Sequence, residues 1–163
     1  MASKQGDTAL LEHPVAKEML QSTNPAHLAY SWRDGTPRVV PIWFQWDGQE
    51  IVMGTPPGAP KVDILQDDTP VALSIDGNTW PYHVLLMRGR VKAETVPGVA
   101  AEYAAAAERY FGVAQGRAWV EQVKAMAPSM VRLSVRPEWV GILDFETRFP
   151  SAIEAAMSGM APS

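Results

Sequence analysis

The sequence predicts an α+β fold, mainly β, in which six or seven mostly antiparallel strands form a barrel-like sheet with peripheral helices. Two Asp-Gly pairs, Asp34–Gly35 and Asp47–Gly48, each separate two apolar runs, which is a strong hairpin signal. The run between them, residues 37–46, is largely apolar on both faces, as in the wall of a barrel. An Ala- and Glu-rich segment at 98–126 predicts helices inserted late in the chain.

In chain order, the first predicted element is a short amphipathic helix at 13–21, where Pro14 suits the first turn. Strands are predicted at 26–32, 37–46 and 50–54, and the two Asp-Gly turns connect them as an antiparallel meander. Pro41 cannot donate a ladder hydrogen bond, so the pairing of its strand must be one-sided or bulged.

The second half of the chain alternates strands and helices. A short helix at 60–67 precedes a strand at 70–76, and a loop through "GNTWP" leads to a long strand at 82–93. The helical segment 98–126 is predicted to break near "GVAQG". The run "SMVRLSVRPEWVGILDF" then predicts two strands separated near Arg136–Pro137.

Length and composition limit the class of protein. The 163 residues suggest one domain over 1–163, with its core at about 25–145 and a frayed tail, "SGMAPS". A net charge of −4 does not favour nucleic-acid binding, and no apolar run is long enough to span a membrane. The chain has no cysteine and no apolar core of signal-peptide length, so a reducing cytoplasmic location is expected.

Few residues suggest catalysis by the protein itself. The histidines, His13, His27 and His83, lack ligand spacing, so no metal site is predicted. The hydrolase motif GxSxG is absent, and the catalytic residues stay unknown.

The stretch "GTPPGAPKVDILQDD" is a candidate anion site. Thr55 offers a hydroxyl after a strand, and Lys61 places a cation in the first turn of the predicted helix. An ordinary strand–helix connection with a solvated lysine explains the same residues, and the spacing of a nucleotide-binding P-loop is absent.

A second basic cluster follows from strand alternation. Arg88, Arg90 and Lys92 share one face of the strand at 82–93, where they either meet a phosphate or pair with acidic side chains. The six tryptophans, Trp80 among them, are candidates for stacking on a planar ligand, and most are expected to be structural.

The order of "DGTPRVVPIWF", "WDGQEIVMGTPP", "APK", "VALSID", "TWPYHVLLMRGRV" and "RPEWVGILDF" resembles the pyridoxamine-phosphate-oxidase-like split-barrel flavoproteins. Within that superfamily it looks like the branch that includes deazaflavin-dependent reductases. The resemblance covers roughly residues 25–145. It implies an FMN-binding type of split β-barrel and a homodimer with its cofactor groove at the subunit interface.

The resemblance also implies site residues. The second strand would pass along the isoalloxazine ring, and Thr55 and Lys61 would hold the cofactor phosphate. Trp80 matches an aromatic position near the pocket, as does Tyr82. The second-strand residues with this implied role are Arg38, Val40, Pro41, Ile42 and Trp43.

This sequence departs from the family pattern at one point. Family helices that bind phosphate carry a further arginine shortly after the lysine, whereas Asp63 stands in that turn here. Arg38, Arg88 or Arg90 would compensate, from the same subunit or from its partner.

The implied function is an oxidoreductase that uses FMN or the deazaflavin coenzyme F-420 to transfer hydride to or from a small organic substrate. The alternative is a split-barrel protein that binds a flavin, haem or apolar ligand without turnover. Pyridoxine-phosphate chemistry is disfavoured, because the substrate motifs of that enzyme are missing.

Overall fold

A computed structural model describes residues 3–159. The strands are β1 (Ala26–Ser31), β2 (Pro37–Ile42), β3 (Gln45–Trp46), β4 (Ile51–Thr55), β5 (Pro70–Asp76), β6 (Val84–Pro97) and β7 (Ser129–Leu143). The α-helices are α1 (Pro14–Gln21), α2 (Ala101–Phe111), α3 (Val113–Met126) and α4 (Ser151–Gly159). Two 3-10 helices cover Thr8–Glu12 and Pro60–Asp63.

The strands form one seven-stranded sheet in the order β2-β1-β5-β6-β7-β4-β3, and every neighbouring pair is antiparallel. β2 and β3 lie at opposite edges of this order, yet only Trp43 and Phe44 connect them. Three Cα–Cα steps span at most roughly 11 Å, so the sheet must curl until its two edges nearly meet. The predicted fold class, α+β with an antiparallel split barrel, is therefore confirmed.

Two sequence predictions about strands are wrong. Residues 37–46 are not one strand, because the chain leaves one sheet edge after Ile42 and joins the other edge at Gln45. The first three strands therefore do not form a continuous meander, although each Asp-Gly turn does close a hairpin. The last two predicted strands are one, β7, whose register shifts by one residue opposite Arg88 and Gly89, and Pro137 is tolerated at that bulge.

Helix predictions vary in accuracy. The helix at 13–21 is confirmed as α1, and the predicted break in 98–126 occurs at Gly112, whose φ of 84° separates α2 from α3. The predicted helix at 60–67 is shorter, a 3-10 helix at Pro60–Asp63. The first 3-10 helix and α4 were not predicted, and α4 includes the start of the supposed tail. The rest of that tail, 160–163, lies outside the described residues.

The core fills the inside of the curled sheet. Alternate residues of the strands point inward and are almost fully buried, which gives the pattern predicted for half-buried strands. α1 adds Met19 and Leu20 to the same core. The inward strand residues include Leu28, Met53, Leu73, Ile75, Leu85, Met87, Leu133 and Ile142. None of the helices in the described part of the chain is long and apolar enough to cross a membrane.

Candidate functional site

An open groove of about 440 Å³ lies on the outer side of the sheet, and we call it the outer groove. Residues of β2, β1, β5 and β6 line it, together with Glu138 at the bulge of β7. The lining residues are Ala29, Tyr30, Ser31, Pro37, Arg38, Pro70, Val71, Ala72, Arg88, Gly89, Arg90 and Glu138.

The strand register explains the flat floor of the outer groove. Val39, Ala29, Ala72 and Arg88 are paired in succession across four strands, so their side chains share one row and one face. The two central members are alanines, which leave the backbone accessible over a wide area. Val39 at the end of the row is 64% exposed, so this face is uncovered in the single chain.

Three arginines line the groove, but they do not share one face. Arg88 and Arg90 point outward from β6, whereas Arg38 pairs with the core-facing Tyr30 and lies 5.6 Å from the ring centroid of Trp32. Arg38 donates to Thr36 Oγ1 and to the Pro37 carbonyl, and Arg90 donates to the Asp68 carbonyl. The Arg88 guanidinium lies 4.0 Å from the ring centroid of Trp139, a cation–π contact. No described carboxylate lies within ion-pair distance of these arginines, so the alternative of rim ion pairs does not hold for Arg88 and Arg90.

The free edge of β2 has a single main-chain donor. Trp32 N–H donates to Thr36 O at 2.8 Å, and this pairing continues along the register, so even-numbered residues of β2 turn their N–H groups toward β1. Pro37, Val39 and Pro41 therefore face the open edge. Prolines have no N–H, so Val39 alone can donate from this edge of β2. Proline at an edge also prevents unwanted strand pairing.

Lys61 is a partly buried cation on the second 3-10 helix. The helix is anchored because Val62 and Ile64 pack against the core. Partial burial lowers the pKa of the Lys61 ammonium, and no described carboxylate lies within ion-pair distance of it. A desolvated ammonium without a counter-ion is costly, so this position favours the binding of an anion.

Asp63, the residue that weakened the sequence argument, has a partner that sequence analysis missed. Its Oδ2 lies 3.2 Å from Nη2 of Arg33, on the turn between β1 and β2. This contact joins that turn to the helix carrying Lys61, at the end of the sheet where Arg38 lies. No sequence signal links positions 33 and 63, because their contact depends on the packing of two separate turns.

Three residues with an implied cofactor role lie elsewhere. Thr55 is 2% exposed on the core-facing side of β4, and its hydroxyl has no hydrogen-bond partner among the described residues. The Trp43 ring stacks on Tyr110 of α2, with centroids 4.9 Å apart. Trp80 lies in the loop before β6, is 64% exposed and does not line the groove.

The remaining second-strand residues divide between two faces. Val40 and Ile42 are partly buried and pack against the core, and their main-chain groups face β1 rather than the free edge. Pro41 is exposed. Arg38 and Arg88 therefore line one groove, with Arg90 as an additional cation. The predicted site residues Lys61, Thr55, Trp43 and Trp80 do not line it.

Trp80 belongs to a separate aromatic cluster. Its ring centroid lies 5.3 Å from that of Tyr82 and 5.5 Å from that of Phe145. Within residues 3–159, no group of three or more histidine, aspartate or glutamate side chains is arranged to hold a metal ion.

Residues 13–144 match the sequence model of the pyridoxamine 5'-phosphate oxidase family, so the chain belongs to that family. The resemblance inferred from the sequence motifs is thereby confirmed. No curated protein sequence matches the chain significantly.

Several solved structures share the fold. An F-420 reductase is 27% identical, with a TM-score of 0.58, over 76% of this chain and 93% of that one. A conserved hypothetical protein from Mycobacterium tuberculosis is 21% identical, with a TM-score of 0.64, over 88% and 91%. An FAD and haem binding protein from Mycobacterium smegmatis is 18% identical, with a TM-score of 0.59, over 96% and 80%.

Proposed function

We propose that this protein is a cytoplasmic, homodimeric oxidoreductase that binds FMN or coenzyme F-420 and acts on a small organic substrate. The observation that carries the proposal is the outer groove, where Arg88 and Arg90 lie beside a flat floor and Arg38 lies at its edge. Among the described residues, no carboxylate lies within ion-pair distance of them. Family membership and the 27% identity to an F-420 reductase support a flavin-type cofactor. They leave the choice between the two cofactors to experiment.

The residues present fit such a cofactor. The arginines of the groove would bind phosphate or carboxylate groups, for which guanidinium groups are well suited. The partly buried Lys61 does not line the groove and would bind a further anionic group of the cofactor. The carbonyls of the β2 edge and the amide of Val39 would contact the polar edge of a planar ring. The bound cofactor would supply the hydride chemistry, and the protein would bind and orient it.

Dimerisation would complete the site. Val39 is 64% exposed and Trp80 is 64% exposed, and a second copy of the chain is the proposed cover for these surfaces. Trp80 would border a substrate pocket only in such a dimer, because it does not line the groove of its own chain.

Cofactor binding can be tested with the purified protein. Any cofactor that co-purifies is released and identified by absorbance and mass, and the apo protein is titrated with FMN and with F-420. We expect one of them to bind, to be reduced and reoxidised on the protein, and to sediment with a dimer. Absence of binding for both would overturn the proposal.

A non-catalytic binding protein is the second candidate. The lining of the outer groove supports it, because Tyr30 faces the core, and Ser31 and Glu138 are the other lining residues whose side chains can transfer a proton. This candidate predicts a bound flavin or haem that no reductant or acceptor turns over. Turnover of the bound cofactor with any small acceptor would exclude it.

A further inference from the structure

The acid in the first turn of the second 3-10 helix conflicts with an anion site at Lys61. Lys61 and Asp63 are two residues apart on this helix, well within a Debye length of about 8 Å. An uncompensated carboxylate at that distance would repel any phosphate that Lys61 attracts. The ion pair between Asp63 and Arg33 changes this balance.

The Arg33–Asp63 ion pair differs from other surface ion pairs because it lies two residues from Lys61. Both side chains are about two-thirds exposed, at 64% and 65%, so the pair contributes little to stability. Its charge effect remains, because a guanidinium nitrogen of Arg33 lies 3.2 Å from the Asp63 carboxylate. Only one Arg33 N–H has a described hydrogen-bond acceptor, and the others remain available.

We propose that Arg33 is a positioning residue for the cofactor: it neutralises Asp63 and thereby lets Lys61 bind a phosphate group. Arg33 thus replaces the arginine expected shortly after the lysine, by coming from the turn between β1 and β2. This inference rests on the proposed function, and it adds a residue and a role that the sequence motifs do not contain.

A double-mutant cycle on cofactor affinity tests the idea. The probes are FMN and F-420, whichever binds the wild-type protein, measured by fluorescence titration at low salt. Arg33→Ala should weaken binding roughly two- to sixfold, as expected for one unit charge about a Debye length away in a medium near water. Asp63→Asn should strengthen binding by a similar factor, because it leaves the Arg33 charge uncancelled, and the double variant should return to about wild-type affinity.

Two controls separate charge from structure. Arg33→Lys keeps the charge and should retain wild-type affinity. The loss in Arg33→Ala should shrink at high salt, whereas a folding defect would persist, and the midpoint of denaturant unfolding should stay unchanged.

The possible failures can be distinguished. If Lys61→Ala leaves affinity unchanged, the anion site itself is wrong, and the role of Arg33 falls with it. If Lys61→Ala weakens binding but Arg33→Ala does not, the site stands and the compensating role is wrong. A double variant that binds as weakly as Arg33→Ala would also overturn it, because the loss would then not come from the uncompensated Asp63 charge.

Discussion

The two halves of the sheet's outer surface differ in how many hydrogen bonds their arginines form within the chain. Helix α2 packs on β3 and β4, whereas no helix residue lines the outer groove on β2, β1, β5 and β6. On the covered side, Arg109 of α2 donates to the carbonyls of Ser22 and Phe44 and to the Gln45 side chain. On the open side, Arg88 contacts the Trp139 ring and donates no hydrogen bond to a described residue.

The two sets of arginines therefore have different roles, one in stability and the other in ligand binding. Arg109 satisfies carbonyls that the crossing from β2 to β3 leaves without ladder partners, so its bonds hold the barrel edge and α2 together. The arginines of the groove satisfy little within the chain. They are therefore available to a ligand, and their loss should affect binding more than folding.

The largest expected effect is on the covered side. Arg109→Ala should lower the free energy of unfolding by about 2–4 kcal/mol, because several charge-assisted hydrogen bonds are lost and their acceptors stay partly buried. Denaturant unfolding measures this change. The matched control is Arg117→Ala, since Arg117 forms only an exposed ion pair with Glu108 and should change stability by less than about 0.5 kcal/mol. Similar effects for both variants would contradict the comparison.

The next effect concerns Lys61, which does not line the outer groove and has no described carboxylate within ion-pair distance. Lys61→Ala should weaken cofactor binding by about 1.5–3 kcal/mol, the usual range for a hydrogen bond to a charged group. Equilibrium titration with FMN or F-420 is the measurement. Lys92→Ala removes a similar charge from an exposed position of β6 outside the groove and serves as control. Unchanged affinity in a folded Lys61→Ala protein would make Lys61 an ordinary surface lysine.

A smaller effect tests the β2 edge. Val39→Pro removes the only main-chain donor of that edge and should weaken cofactor binding by about 1 kcal/mol, the net contribution of one hydrogen bond. Folding should tolerate the change, because proline is accepted where the N–H faces outward. Val39→Ala keeps the N–H, so the difference between the two variants isolates it. Equal affinities would show that no ligand atom uses this donor.

The smallest effect concerns pH on the covered side. Hydrogen bonds from Arg132 lower the pKa of Glu102 below its ordinary value of 4.5. The stability from this pair is therefore fully present above pH 4.5 and is lost as the pH falls through the lower pKa of the folded state. Glu102→Gln should cost about 0.5–1 kcal/mol at pH 7 and lose this cost in acid, as unfolding curves at both pH values will reveal. A cost that persists in acid would point to packing instead.

Local signals predicted much of the fold. The two Asp-Gly turns close the hairpins β1–β2 and β3–β4, and β5 lies at 70–76 as predicted. Both features depend on neighbours in sequence, through turn geometry and strand alternation. Sheet order is different, because it depends on which strands meet after the chain has crossed at Trp43 and Phe44.

The residues of the candidate site likewise divide into those that local signals predicted and those whose place depends on tertiary structure. Alternation along β6 predicted that Arg88 and Arg90 share one face, which the structure turns outward, and both line the groove. The burial of Thr55 could not be read from its sequence, because its side of β4 is fixed by the register with β7.

The sequence by itself determined the turns, the alternation of strands and the family, because these follow from short-range geometry and from the order of motifs. Tertiary structure alone decided that one half of the sheet is covered and the other left open. It also decided that Arg33 contacts Asp63, which lies 30 positions later in the chain. The physical reason is that charge compensation depends on distance in space, and that distance is set only when the turn between β1 and β2 packs beside the helix of Lys61.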